Sequence, residues 1–356
     1  VFYLLKEFED LIMKAIPAPE GDPDFGVPWH FGDPHKEQIA LLAGTAAVDL
    51  SHWGVITVTG PDRLTWLHSL TTAHMESLLP GISITALVLS PHGHVEFEMH
   101  VVDDGYSTWL ITPPHTAENL VKYLDSMRFM LRVEVSDRSD EFGVVWEPIR
   151  EIDPSYPTWL TTLEFAGLGS TESGSDRGGS ADKYVVARPA PFVGREVIVP
   201  RAEVQTRIEQ FPERAGTWAL HAIRAAAAVP QLGWETDHKT LPHEIGWIGT
   251  GVHLSKGCYR GQETVARVHN LGAPPRRLVL LHLDGSQHGL PVHGAPVQNA
   301  DGKAIGFIAT PARHYELGPI ATAVIKRSTP VDEVLHVIDG DTVITASQEV
   351  VLAGKN

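Results

Sequence analysis

The run Lys256-Gly257-Cys258-Tyr259-Arg260-Gly261-Gln262-Glu263 holds the one cysteine of this chain, set between two cations and two glycines. Positive charge and a nearby helix start both favour the thiolate, the form that acts as nucleophile and metal ligand. Glycines let the backbone approach a ligand closely, and Gln262-Glu263-Thr264-Val265-Ala266-Arg267-Val268 reads as a short helix opening beside the sulfur. The other reading is that Cys258 packs as a small buried hydrophobe, as free cysteines commonly do. A lone cysteine closes no intramolecular disulfide, and one thiolate cannot replace the four that usually hold an iron–sulfur cluster. The chain is therefore expected to be cytoplasmic and to carry no cluster of its own.

Charge narrows the ligand class. The net charge of −16 opposes attraction to nucleic acid phosphates over most of the surface, so no stable nucleic acid binding is expected. Between Ser255 and Leu280, however, Lys256, Arg260, Arg267, Arg276 and Arg277 stand against Glu263 alone. A basic island beside the thiol loop suits a small anionic ligand better than a polyanion; a solvated basic face is the alternative. Among 19 histidines, His92, His94 and His100 gather near a predicted hairpin, but no His-Glu-x-x-His pattern occurs and no metal ligand is assigned. There is no Gly-x-Ser-x-Gly elbow, P-loop or Cys-x-x-Cys, so the common hydrolase, nucleotidase and thiol oxidoreductase readings lack support.

These residues need a scaffold, and 356 residues exceed what one hydrophobic core usually organises, so two or three cores are expected. No apolar run approaches the length of a membrane span. Val1 to Ile16 interleaves charge with apolar residues and does not read as a secretory signal. Pro17 to Pro34 reads as an extended leading segment, followed by a short helix over Lys36 to Leu42. Val55 to Thr59 reads as a strand, and Pro61-Asp62 opens a helix with Leu64, Leu67 and Leu70 on one face. Ile84 to Leu89 and Val95 to Val101 make a hairpin turning at Ser90-Pro91-His92-Gly93. In its second arm Val95, Phe97, Met99 and Val101 face one way and Glu96, Glu98 and His100 the other.

Tyr106 to Thr112 supplies another strand, Ala117, Leu120, Val121 and Leu124 form a helical stripe, and Leu131 to Val135 returns to strand. This order is read as β-α-β-β-α-β, a ferredoxin-like unit. Gly167 to Asp182 reads as low complexity, and Trp218 to Val229 as a helix stopped by Pro230. After Pro274-Pro275 come strands, with a hairpin signal at Asp301-Gly302; a small terminal β-barrel is the natural reading.

The thiol loop resembles the signature of the YgfZ family, folate-binding relatives of the glycine cleavage T-protein (GcvT, aminomethyltransferase). Val48-Asp49-Leu50-Ser51-His52 with Val58-Thr59-Gly60-Pro61-Asp62 is similar to that superfamily's N-terminal motif. Ile223-Arg224-Ala225-Ala226, Pro230, Gly233 and Leu241-Pro242-His243-Glu244 resemble its central motif, and the likeness runs from about Val48 to Arg327. The resemblance implies an α+β, three-lobed clover-leaf around a central channel for tetrahydrofolate. Its lobes would be a discontinuous folate-binding lobe at 1–54 and 136–274, a ferredoxin-like lobe at 55–135 and a C-terminal β-barrel at 275–356.

The site implied takes Arg224, Glu244, Lys256, Gly257, Tyr259, Arg260, Gly261, Gln262, Glu263 and Arg267 as folate contacts, with Trp234 and Trp247 as further stacking candidates and Cys258 as the functional thiol. Aminomethyltransferases carry an acidic pair after the hairpin glycine; here Glu96-Phe97 stands in its place, leaving Glu96 as a weak catalytic candidate. They also tend to carry a glutamate where Ala226 stands and to lack the loop cysteine. The function implied is a folate-binding accessory protein for assembly or repair of iron–sulfur enzymes, including tRNA-modifying ones. The alternative is a folate-dependent aminomethyltransferase.

Overall fold

A computed structural model of the chain describes residues 14–161, 184–186, 190–286 and 289–354. The charged leading residues 1–13 and the low-complexity stretch at 167–182 lie outside the described residues. Helix α1 (Pro34–Ala43) starts where the Asp33 side chain accepts the Lys36 N–H and stops at Gly44 in the left-handed region, the pairing of signals that starts and stops a helix. Strands β1 (Ala46–Asp49) and β2 (Gly54–Thr59) follow, then α2 (Arg63–Leu70).

Next come β3 (Ser83–Leu89), β4 (Val95–Asp103), β5 (Ser107–Thr112), α3 (Ala117–Ser126) and β6 (Glu134–Asp137). They build a five-stranded antiparallel sheet in the order β3-β4-β5-β2-β6. The unit is thus β-α-β-β-β-α-β: the five strands are those the sequence names, one more than a ferredoxin-like order holds. Strands β4, β5, β2 and β6 keep the ferredoxin-like order, while β3 pairs along nearly all of β4 and becomes the added edge. Helices α2 and α3 bury Leu67, Leu120 and Leu124 completely against Ile56, Met99, Val101 and Leu110, each worth about 1.5–3 kcal/mol of transfer free energy.

A second sheet joins β7 (Phe142–Glu147), β8 (Thr158–Thr161) and β9 (Gly194–Pro200) with β1, in the order β8-β9-β7-β1, with the two-residue strand Glu213–Arg214 at the far edge. Helix α4 (Thr217–Ala226) packs Ala219, Leu220 and Ile223 onto it beside Val48, Val144, Trp146 and Ile198. The sheets meet where β3 approaches β8: the Trp159 indole N–H donates to Ile84 O at 3.0 Å, and Ser83 Oγ donates to Thr158 O at 3.1 Å.

After α5 (Gln262–Leu271) the chain forms β10 (Arg276–Leu283), β11 (Pro296–Gln298), β12 (Ala304–His314), β13 (Gly318–Lys326), β14 (Leu335–Asp339) and β15 (Thr342–Val350). These close into a six-stranded barrel in the order β10-β13-β12-β11-β14-β15, which leaves no open edge. The Asp301-Gly302 turn falls between β11 and β12, with Gly302 at φ 77°. The fold is α+β with a closed C-terminal barrel, and no helix among the described residues is long and apolar enough to cross a membrane.

Candidate functional site

A cavity of about 300 Å³ lies where the two sheets and α4 meet. Four of the chain's nine tryptophans line it, Trp53, Trp146, Trp159 and Trp247, together with Phe192. Its polar lining includes Asp24, Glu98, His100, Glu196, His221 and Arg224. A small apolar chamber with a few convergent polar groups is the usual form of a small-molecule site.

Alternation along β4 explains one wall. Met99 and Val101 turn into the core beneath α2 and α3, so Glu98 and His100 turn to the opposite face, which the second sheet covers. His100 Nδ1 lies 2.7 Å from Glu196 Oε2, and its Nε2 lies 3.5 Å from Glu98 Oε1. Its ring stacks on Trp159 with centroids 3.7 Å apart and planes 5° from parallel. Burial alone would push the imidazole pKa down; the Glu196 charge and hydrogen bond, with those of Glu98, override it and raise it to about 10. At neutral pH this wall is an imidazolium between two carboxylates. Glu98 Oε2 accepts the Leu232 N–H at 2.7 Å.

The opposite wall comes from the leading segment. Asp24 Oδ2 pairs with His221 Nε2 at 2.8 Å, and its Oδ1 with His52 Nε2 at 3.1 Å. Burial would raise the Asp24 pKa, yet the two imidazoles hold it far below the usual carboxylate range. Arg224 on α4 reaches across to the barrel. Its guanidinium donates to Val229 O at 2.7 Å, Glu235 Oε2 at 2.9 Å and Thr310 Oγ1 at 2.6 Å. Glu235 in turn accepts the Thr310 and Thr322 hydroxyls at 2.5 and 2.6 Å.

The thiol loop is a separate piece of architecture. Cys258 is exposed and is not among the residues that line the cavity, whose wall ends in this region at Gly249–His253 and thus stops five residues short of the sulfur. Lys256 is buried, and its ammonium donates to the carbonyls of His68, Thr71 (2.6 Å) and Ala73 (3.1 Å), fastening the loop to the segment after α2. Desolvation lowers its pKa to about 8. Tyr259 packs into the core with Trp247, Ile245 and Leu278, and burial raises its phenol to about 12. Gly261 has φ +81°, and a Cβ there would meet Ser90 O at 2.5 Å. The hairpin turn at Ser90–Gly93 therefore sits directly on the loop, which only glycine permits.

The other sequence-nominated residues divide among structural tasks. Glu244 is fully buried outside the cavity, accepting the Leu241 N–H at 3.0 Å and the Arg276 guanidinium at 2.7 Å. Arg260 pairs with Glu96 at 3.1 Å, both half-buried at the side chain, so the weak catalytic candidate lies beside the loop and not in the cavity. A shift in the β3–β4 register leaves Glu96 without a cross-strand partner, with Phe97 opposite Val88 and Val95 opposite Leu89, and Glu96 is not part of the cavity lining. Gln262 makes long contacts of 3.4 Å to the carbonyls of Lys256 and Gly257; Gly257, Glu263 and Arg267 are exposed. Trp234 stands outside the lining, 5.2 Å from the His221 ring, whereas Trp247 and Arg224 line the cavity.

Sequence reasoning missed Asp24, Glu98, His100, Glu196, Trp53, Trp146 and Trp159. The alternation of Glu98 and His100 against Phe97 and Met99 was the available signal, since a polar strand face can border a cavity as well as solvent. It also missed His68, His74 and Glu76, whose ligating atoms all lie within 4.8 Å of one another, while the His92 and His94 rings stand 6.2 Å apart.

No family model matches the sequence. A chloroplastic transferase-like protein of Arabidopsis thaliana is 24% identical over 302 residues, 80% of this chain and 66% of that protein, so the chain spans about two thirds of that relative's length. The aminomethyltransferase of Bacillus subtilis is 24% identical over 339 residues, 89% of each chain. A mitochondrial iron-sulfur cluster assembly factor IBA57 homolog of Mycosarcoma maydis is 23% identical over 306 residues, 77% of this chain and 70% of that one. The crystal structure of glycine cleavage system aminomethyltransferase T from Bartonella henselae matches with a TM-score of 0.72 at 16% identity, covering 96% of this chain and 95% of that chain. The expected GcvT-like fold is therefore the fold observed. Sequence similarity along most of the chain, together with that shared fold, supports its placement in the aminomethyltransferase superfamily.

Proposed function

We propose that this protein binds a reduced folate in the central cavity and supports assembly or repair of iron–sulfur enzymes, tRNA-modifying ones among them, through the Cys258 thiol. The observation that carries the folate reading is the wall itself: flat indole faces beside the Glu98–His100–Glu196 array. A pterin is planar and bears a row of N–H donors, and a carboxylate is the natural acceptor for such an edge. Glu196 spends one oxygen on His100; the other carries no hydrogen bond among the described residues and is free to accept. Trp53 and Trp247 would cover the ring face, Arg224 would border it, and Arg267, exposed on α5, with Arg260, which would have to leave Glu96, suit an anionic tail. Bound tetrahydrofolate would supply ring nitrogens that accept or release a one-carbon unit. The accessory role draws on relatives named as iron–sulfur assembly factors and on an exposed thiol, which a partner protein can reach.

Titration with tetrahydrofolate should quench tryptophan emission at one equivalent, and Glu196→Gln should weaken binding at least tenfold; absence of saturable quenching defeats the folate reading. Cys258→Ser should bind folate normally yet fail to restore iron–sulfur enzyme activity in a strain lacking the protein, and full restoration would remove the thiol from the mechanism. One observation favours a second reading, aminomethyl transfer: Glu98 keeps a buried carboxylate in the cavity. Turnover with an aminomethylated lipoyl carrier protein and tetrahydrofolate, abolished by Glu98→Gln, would establish that reading instead.

A further inference from the structure

The segment following α2 folds back so that His74 and Glu76 stand beside His68 at the helix end. His74 Nδ1 lies 3.1 Å from His68 Nδ1, and one ligating atom from each of the three residues falls within 4.8 Å of the others. With zinc–nitrogen bonds of 2.0–2.1 Å, two donors on a tetrahedral ion stand about 3.3 Å apart. The imidazole pair is close to that spacing, and a carboxylate oxygen of the exposed Glu76 lies within 4.8 Å of both.

The backbone beneath the cluster is fixed. Thr71, Thr72, Ala73 and Met75 are buried. Thr72 N donates to Leu87 O at 2.9 Å and its hydroxyl to Gly251 O at 2.5 Å. The Lys256 ammonium takes the carbonyls of His68, Thr71 and Ala73. Met75 points inward between His74 and Glu76, so both flanking side chains project from a rigid strap, the preorganisation that a metal site requires.

We infer that His68, His74 and Glu76 form a divalent transition-metal site at the rim of the central cavity. Two imidazoles and a carboxylate suit zinc or ferrous iron and leave coordination positions open. Because His74 and His253 also line the cavity, with ring centroids 5.4 Å apart, those open positions are adjacent to whatever the cavity holds. The His68 Nδ1 that would bind the ion now pairs with His74 Nδ1 at 3.1 Å and accepts the Met75 N–H at 3.2 Å, hydrogen bonds the ion would displace. The nearby Lys256 ammonium disfavours a weakly held hard cation, and the Glu76 carboxylate offsets it. The site stands independently of the folate reading.

The test is cobalt(II) titration of the full chain followed by visible absorption, with zinc(II) competition by calorimetry. One equivalent should give ligand-field bands of a four- or five-coordinate ion, and zinc should displace it. His74→Ala and Glu76→Gln, both exposed positions, should each weaken binding at least tenfold, while His336→Ala on the barrel leaves it unchanged. No one-to-one binding, or affinities within twofold of the parent in both cluster variants, would overturn the inference. Circular dichroism of each variant keeps a folding failure from being read as loss of the site.

Discussion

His100 provides the sharpest test of the cavity's electrostatics. An unfolded histidine releases its proton near pH 6.5, whereas in the folded protein Glu196 and Glu98 raise the value to about 10. A folded-state pKa above the unfolded one adds stability that is fully present below pH 6.5 and is lost as pH climbs through 10. Between pH 7 and pH 9 the native imidazole keeps its proton while the unfolded one gives it up, so linkage predicts a loss of about 2–3 kcal/mol over that interval. Other groups also titrate there, and a His100→Gln variant subtracts them. Urea unfolding of both proteins, followed by tryptophan emission, should show the parent's advantage over the variant shrinking by about 2–3 kcal/mol from pH 7 to pH 9. Nitrogen-15 shifts of the His100 ring should remain those of an imidazolium at pH 8. A difference flat to within about 0.5 kcal/mol, or a ring that titrates near the ordinary histidine value, would refute the carboxylate–imidazolium–carboxylate array.

Three further outcomes follow from local geometry. Gly261→Ala combines a left-handed backbone with a Cβ 2.5 Å from Ser90 O; it should cost about 2–4 kcal/mol in denaturant unfolding, whereas Gly257→Ala, with open space around it, should change stability by less than about 0.5 kcal/mol. Lys256→Met leaves three buried carbonyls without their ammonium donor and should destabilise by about 2–5 kcal/mol, read as a lowered melting midpoint. Asp24, its pKa held down by His221 and His52, contributes stability present above the ordinary carboxylate range and lost as pH falls; Asp24→Asn should flatten the acid limb of a stability profile measured from pH 6 down to pH 3.

Local signals carried the elements well, because periodicity is set by neighbours in the chain. Leu120 and Leu124 are fully buried, as their spacing on α3 requires; the Asp301-Gly302 turn joins β11 to β12, and Asp33 and Gly44 bound α1. The five strands of the central sheet were each legible from alternation, whereas their order, with β3 at the edge and β2 between β5 and β6, is set by pairing across the chain. The cavity was least legible. Asp24 meets His221 across 197 positions and His100 meets Glu196 across 96, separations that no motif spans. The thiol loop drew attention for its composition, yet the side chains of Lys256 and Tyr259 and the backbone at Gly261 are occupied in seating it against α2 and the β3–β4 hairpin. Their types were readable in the sequence; their partners were set by tertiary packing.

The cavity lining begins at Asp24 and ends at His253, with no barrel side chain among it, although Arg224 is anchored by Thr310 on β12. During synthesis the chamber therefore has all its lining residues before β10 has left the ribosome, but the guanidinium that borders it, already within reach of Val229 and Glu235, lacks its Thr310 partner until β12 arrives. Thr310 adds the barrel's contact on that side of the chamber, which ties ligand capture to a strand that contributes no lining residue.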